Sequence, residues 1–174
     1  MFIFFKYFRW FLLLLLITLS SCSKPSYTQQ KSALIVIKST TLKYADMGFI
    51  YQGKNETKVE VYASGHAALS LTIHKNSICM DKLKCLAPKS FNQKFLNSHY
   101  PKGFLSNIFN QKPIFSSSNL KKRANGFQQT IKNSYVDIEY SVLNNSLLFR
   151  DRVNGILIKI KEQWSLTLIQ RGKV

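Results

Sequence analysis

The chain is short of acid. Eight Asp and Glu residues stand against 25 Lys and Arg, a formal charge of +17. The few carboxylates fall mainly on the polar sides of strand-like segments, where solubility accounts for them. Catalytic motifs are missing too. There is no Gly-x-Ser-x-Gly elbow, His-Glu-x-x-His helix, phosphate-binding Gly-rich loop or dinucleotide fingerprint. The three histidines, His66, His74 and His99, have no nearby acidic partner in sequence. The sequence therefore reads as a protein that is not an enzyme and carries no cofactor. Cysteine is confined to three positions. His74, Cys79, Cys85 and His99 are metal-binding residue types, yet their spacings match no compact zinc motif. Cys79 and Cys85 also lack the two-residue spacing of a thioredoxin-like redox pair. After the opening segment no apolar run is long enough to cross a bilayer.

What is present begins with that opening. Lys6 and Arg9 supply positive charge, Trp10 to Ile17 are unbroken apolar residues, and Leu19-Ser20-Ser21-Cys22 follows. A charged start, a brief apolar core and small residues before a cut are the layout of a secretory signal peptide. The uncharged stretch falls short of the ~20 residues that span a bilayer comfortably. Leu-Ser-Ser-Cys resembles the lipobox of bacterial lipoproteins. That resemblance implies a signal peptide over 1–21, a diacylglyceryl group on the Cys22 thiol, cleavage before Cys22 and acylation of the new amine. Several acyl chains, at about 0.8 kcal/mol per buried CH2, hold a protein to a membrane without a further helix. The polar, Ser/Gln/Lys-rich segment that follows predicts a tether over 22–32, and 33–174 suits a single domain.

Export changes the meaning of the charge. A basic balance in the cytoplasm suggests nucleic acid; outside it, the surface meets anionic head groups or lipopolysaccharide, or stays solvated. No nucleic-acid partner is expected. In an oxidising compartment the simplest assignment for Cys79 and Cys85 is a disulfide closing a small loop.

The pattern along the domain is strands, two helices, then strands. Tyr44–Gln52 is the first clear strand. Val59 and Val61 alternate with Glu60 and Tyr62, Ser64-Gly65 turns, and Leu69, Leu71 and Ile73 share one face. A short strand around Ile78 and Cys79 follows. Phe91, Phe95 and Leu96, then Phe104, Leu105, Ile108 and Phe109, recur at helical spacing after Pro88 and Pro101. Ser116–Ser118 with Lys121-Lys122-Arg123 reads as a polar, basic loop. Strands resume at Phe127–Lys132 and Tyr135–Val142, with Val136, Ile138 and Tyr140 on one side. Ser146–Arg150 and Ile156–Lys161 close the pattern around Asn154-Gly155, with Trp164 to Ile169 a candidate edge strand. The fold class is mainly β (α+β): an unclosed antiparallel β-barrel or strongly curved sheet with short helices covering its concave side.

The order of elements resembles the outer-membrane lipoprotein receptors of the LolB family and, more distantly, the periplasmic LolA carriers, from about Met47 to Trp164. The resemblance is carried by Val59–Leu71 (strand, exposed turn, strand), by helical Phe104–Phe109 with Pro113 soon after, and by Ser146–Arg150 through Asn154–Ile160 to Trp164. It implies a membrane-anchored lipoprotein, a monomer, that binds palmitate-type acyl chains of other lipoproteins. Such a protein takes its cargo from a LolA-like carrier and places it in the outer membrane. Ser23, rather than Asp, after the lipidated cysteine is compatible with sorting there. The cavity would be lined by Val61, Leu71, Ile73, Ile138, Tyr140 and Ile158, with Phe104 and Phe109 as a movable lid. The family's exposed turn, which helps delivery into the bilayer, matches Ser64, Gly65, His66 and Ala67; a histidine enters hydrocarbon far less cheaply than the family's apolar residue. The alternative is an anchored envelope module with a filled core, whose basic face binds a protein or lipopolysaccharide.

Overall fold

Alternation of period two decides most of the strands. The computed structural model describes residues 27–81 and 84–167. In sequence order the strands are β1 Tyr27–Lys38, β2 Lys43–Gly53, β3 Glu56–Ala63, β4 His66–His74, β5 Ile78–Met80 and β6 Lys84–Leu86. After a helical section come β7 Leu120–Arg123, β8 Gly126–Lys132, β9 Asp137–Leu143, β10 Ser146–Asp151 and β11 Ile156–Thr167. Val59 and Val61 are buried while Lys58, Glu60 and Tyr62 are not; Ile156, Ile158 and Ile160 are buried while Lys159 and Lys161 are exposed. The hairpin turns carry the backbone the sequence signals. Ser64 and Gly65 both have positive φ (51° and 80°), as do Asn144 and Asn145 (49° and 61°), the geometry that matches strand twist in a two-residue turn.

Among the described residues all strands join one antiparallel eleven-stranded sheet in the order β6-β5-β4-β3-β2-β1-β11-β10-β9-β8-β7. Two meanders, β1–β6 and β7–β11, are thus sewn together where the first strand pairs with the last, from Gln29↔Thr167 to Lys38↔Leu157. β6 and β7 do not pair, so the sheet is open. One end of it carries the turns at 54–55 and 75–77; the other carries those at 64–65 and 152–155.

β6 and β7 are consecutive in sequence yet stand at opposite edges of the sheet, and the connector between them packs into the core. That connector holds α1 (Pro88–Phe95), α2 (Phe104–Phe109) and a 3-10 turn (Phe115–Ser117). Pro88 starts α1, where its missing N–H costs nothing. Phe91 of α1, and Phe104, Leu105, Ile108 and Phe109 of α2, share one core with Ile35, Val59, Leu71, Ile138 and Phe149 of the sheet. Phe104 meets Phe149 edge-on at 5.0 Å between ring centres, a favoured aromatic geometry.

Three sequence expectations are corrected here. The tether reading of 22–32 overlaps β1, which begins at Tyr27: Tyr27–Ser32 is polar, but pairing with β2 and β11 on both sides overrides composition. Lys121–Arg123 is not loop but edge strand β7, paired to β8; lysines on a short edge deter pairing with other chains. The strand around Trp164 is no separate last strand but the continuation of β11, paired there with β1 alone because β10 ends opposite Lys161. The expected signal peptide at 1–21, Cys22, Ser23, Leu168 and Ile169 lie outside the described residues.

Cys79 and Cys85 are disulfide-bonded, directly opposite each other in the β5–β6 hairpin. The bridge closes a short loop at one edge, so its loss is local. Replacing both cysteines with serine is expected to lower stability by about 2 kcal/mol or less. Hydrogen exchange should quicken in β5 and β6 while β1, β2 and β11 stay protected. Equal quickening in every strand would show instead that the bridge holds the whole sheet.

Candidate functional site

The inner face of the sheet and the connector that crosses it form the first place where chemistry gathers. Val61, Leu71, Ile73, Phe104, Phe109, Ile138, Tyr140 and Ile158, the eight residues expected to line a cavity, all lie in this one core. Each is at most 3% exposed. A void wide enough for an acyl chain would leave its lining accessible to water, so the space beside these side chains is filled. Phe104 and Phe109 do the filling from the connector side.

Polar side chains tie the connector down. Gln52 Nε2 donates to the Phe109 carbonyl (3.2 Å) and Asn110 Nδ2 to Thr57 Oγ1 (3.0 Å). Gln111 Nε2 donates to Glu162, which also holds Lys31 at 2.8 Å. Tyr140 Oη donates to the Lys112 carbonyl (3.0 Å). Gln129, 1% exposed, accepts from Ile114 N and donates to the carbonyls of Ile114 and Ser118. Near the turn at 152–155, Tyr100 Oη donates to Asp151 Oδ2 at 2.8 Å. The other Asp151 oxygen accepts from the backbone N–H groups of Asp137, Val153 and Asn154. Buried polar groups of this kind stabilise modestly when paired and are costly when orphaned. Sequence patterning missed them. Gln52, Gln129 and Asp151 sit in phase with the inward residues Ile50, Ile131 and Phe149, and a polar residue at an inward position was the available signal.

A second place is a groove of about 710 Å3. Its walls are the β2–β3 turn with Lys54, the end of β4 and the β4–β5 turn with His74 and Lys75, and the connector from Lys102 through Ser106 to Lys112. Of the eight cavity residues only Ile73 reaches it. Among the described residues Glu56 supplies its one carboxylate, 3.6 Å from His74 Nδ1. Burial first, and the neighbouring Glu56 carboxylate second, push the Tyr27 hydroxyl up to about 12.

Ser64, Gly65, His66 and Ala67 are exposed, with His66 Nδ1 3.0 Å from the Ser64 carbonyl. They lie at the end of the sheet opposite the groove, since β3 runs from Glu56 to Ala63, a rise of about 23 Å at strand geometry. The three histidines do not converge. His66 opens β4, His74 closes it, and His99 stacks on Tyr135 at 4.2 Å. Cys79 and Cys85, bonded to each other, offer no thiolate to a metal. Among the described residues no helix is long and apolar enough to cross a membrane.

No protein-family model matches the chain, and no curated protein is similar to it in sequence.

Burial raises Tyr100 and Tyr140 well above the ordinary tyrosine value, and for Tyr100 the Asp151 carboxylate adds to the effect. A raised folded value means that the stability is fully present below about pH 10. It is lost as pH climbs beyond that, at a rate that approaches about 1.4 kcal/mol per pH unit for each tyrosine. Denaturation midpoints measured between pH 9 and pH 11 should fall steeply in the parent. Tyr140→Phe and Tyr100→Phe should each flatten that slope, by about half a proton on average across this range and by about a full proton above it. Tyr100→Phe should also cost about 1–3 kcal/mol at neutral pH, because Asp151 loses a donor. An unchanged slope in both variants would remove the two hydroxyls as the cause.

Proposed function

We propose that the chain is a LolB-like lipoprotein, anchored through lipid on Cys22, that binds the acyl chains of other lipoproteins and helps place them in the outer membrane. The structure described is its closed, cargo-free form. The observation that carries this reading is the crossing connector. Residues 104–114 touch β3 and β4 on one side of the central seam and β8, β9 and β10 on the other. Laid flat, the strands from β4 to β8 would extend about 34 Å at 4.8 Å per interval, whereas a six-residue helix is only about 9 Å long. So short a segment reaching both sides supports a sheet that curls around the helices as an unclosed barrel, with the connector as a lid over its concave side.

Magnitudes favour cargo with several chains. Lifting α2 re-exposes Phe104, Leu105, Ile108 and Phe109, at about 1.5–3 kcal/mol each, or roughly 6–12 kcal/mol together. A sixteen-carbon acyl chain taken into the vacated space contributes up to about 12 kcal/mol at 0.8 per CH2. One chain roughly breaks even, and a triacylated lipoprotein exceeds the cost. The hydrogen bonds of Gln52, Asn110, Gln111 and Gln129 are re-formable with water, as a lid requires. The 64–67 turn takes a different part from the expected one. It lies at the far end from Tyr27, where the anchor enters, so in this proposal it meets the soluble carrier. A polar, exposed histidine between Gly65 and Ala67 suits that place.

The filled core favours a second reading, an anchored envelope module whose basic surface binds a protein or lipopolysaccharide and whose interior never opens. Binding to a triacylated lipoprotein and to its non-acylated twin separates the two. The expected outcome is saturable binding of the triacylated form alone, with a single fatty acid bound far more weakly. Phe109→Ala should bind acyl chains more tightly than the parent, because the lid has less to re-expose, while losing about 3–5 kcal/mol of stability. Absence of acyl-dependent binding in both proteins would leave the module reading.

A further inference from the structure

The groove has a composition and a position that the acyl-chain reading does not use. Four lysines, Lys54, Lys75, Lys102 and Lys112, line it against the single carboxylate of Glu56. All four are exposed, and among the described residues none is in an ion pair. The rest of the wall is rich in hydrogen-bonding groups, among them Ser77, Ser106 and Asn107. A concave surface lined by one sign of charge focuses its field and concentrates counter-ions. At about 710 Å3 the space falls in the range of small-molecule sites. Its lining repels an acyl chain and suits an anion.

Position narrows the anion. Tyr27, the first residue of β1, pairs with Gly53 on the rim of the groove. Cys22 is five residues upstream of Tyr27, and five residues reach at most about 18 Å however they are arranged. A lipid on Cys22 therefore holds this end of the sheet close to the bilayer.

We propose that the groove is a phosphate-binding site that takes the head group of an anionic phospholipid in the membrane to which the chain is anchored. The proposal rests on lipidation of Cys22 and is independent of acyl-chain binding. Two stretches of the connector, Lys102–Ser106 at the start of α2 and Lys112 beyond its end, form part of the wall. A head group seated there bears directly on the segment that covers the core. Phosphate is the shared chemistry; a soluble phosphate compound is the other source.

The test uses the full lipidated chain, reconstituted into phosphatidylcholine vesicles of graded phosphatidylglycerol content. A fluorophore sits on a cysteine introduced at the rim, Asn76→Cys, and quenching by a nitroxide on the lipid head group is read. Quenching should rise with phosphatidylglycerol. The content needed for half-maximal effect should increase about fivefold for each of Lys54→Gln, Lys75→Gln and Lys102→Gln. Removing the same charge at the other end of the sheet, with Lys38→Gln, Lys43→Gln and Lys132→Gln, should leave it unchanged. Inorganic phosphate that binds saturably and reverses the quenching would keep the anion site and overturn the head group as its ligand. Quenching indifferent to phosphatidylglycerol and to the three groove lysines overturns the site itself. A chain that washes off pure phosphatidylcholine vesicles overturns the lipid anchor instead, and with it the membrane as the source.

Discussion

The pairing of β1 with β11 is the constraint on which the rest of the molecule depends. It places the first strand and the last side by side in the middle of the sheet, which forces the strands that end one meander and begin the other, β6 and β7, to the two outer edges. The chain between them runs from one edge to the other and packs into the core. From that follow the helices over the inner face, the aromatic core they complete, and the polar contacts that fix them there. The seam also aligns Ile35 with Ile160 and Ile37 with Ile158, a buried apolar ladder at the centre of the core.

The inner face is not uniform along the strands. Its middle is aliphatic and aromatic, whereas toward the Tyr27 end it carries Lys31, Glu162, Gln52 and Thr57, partnered by Gln111, Asn110 and the backbone of α2. An ion pair this far out of water gains little net stability, because desolvation offsets attraction; what it supplies is register and orientation. Apolar burial therefore holds the connector while the polar contacts decide where it sits, and contacts of the second kind are the easier to exchange with water.

Much of the fold was legible because the local signals agree with one another. Val59 and Val61, Leu69 to Ile73, and Ile156 to Ile160 alternate cleanly, and Phe104 to Phe109 repeats at helical spacing, so these elements are where period alone places them. The disulfide was legible because two cysteines in a short segment leave one simple pairing. What could not be read depends on partners far away in sequence. Tyr27–Ser32 is polar and becomes strand only because β2 and β11 flank it. Asp151 turns the chain with its carboxylate, so the connection ahead of Ile156 is longer than the Asn154-Gly155 pair suggests. The groove was invisible for the same reason, since no local pattern brings Lys54, Lys75 and Lys102 together. The eight apolar residues share one interior, with little of any of them accessible to water.

The seam has a consequence in time. Lys31 and Glu162, one of its contacts, are 131 residues apart, so the central pairing is among the most non-local in the chain, and pairings of that kind form late. A chain emerging from its N-terminus can assemble β1 to β6 by neighbouring hairpins. It then carries one side of β1, with Ile35 and Ile37, as an unsatisfied central edge until the last strand arrives. The sheet cannot lock until β11, the last of the described strands, has been made. The same delay leaves a sticky strand waiting, which makes the interval between translation and completion the stage at which a chaperone's protection matters most.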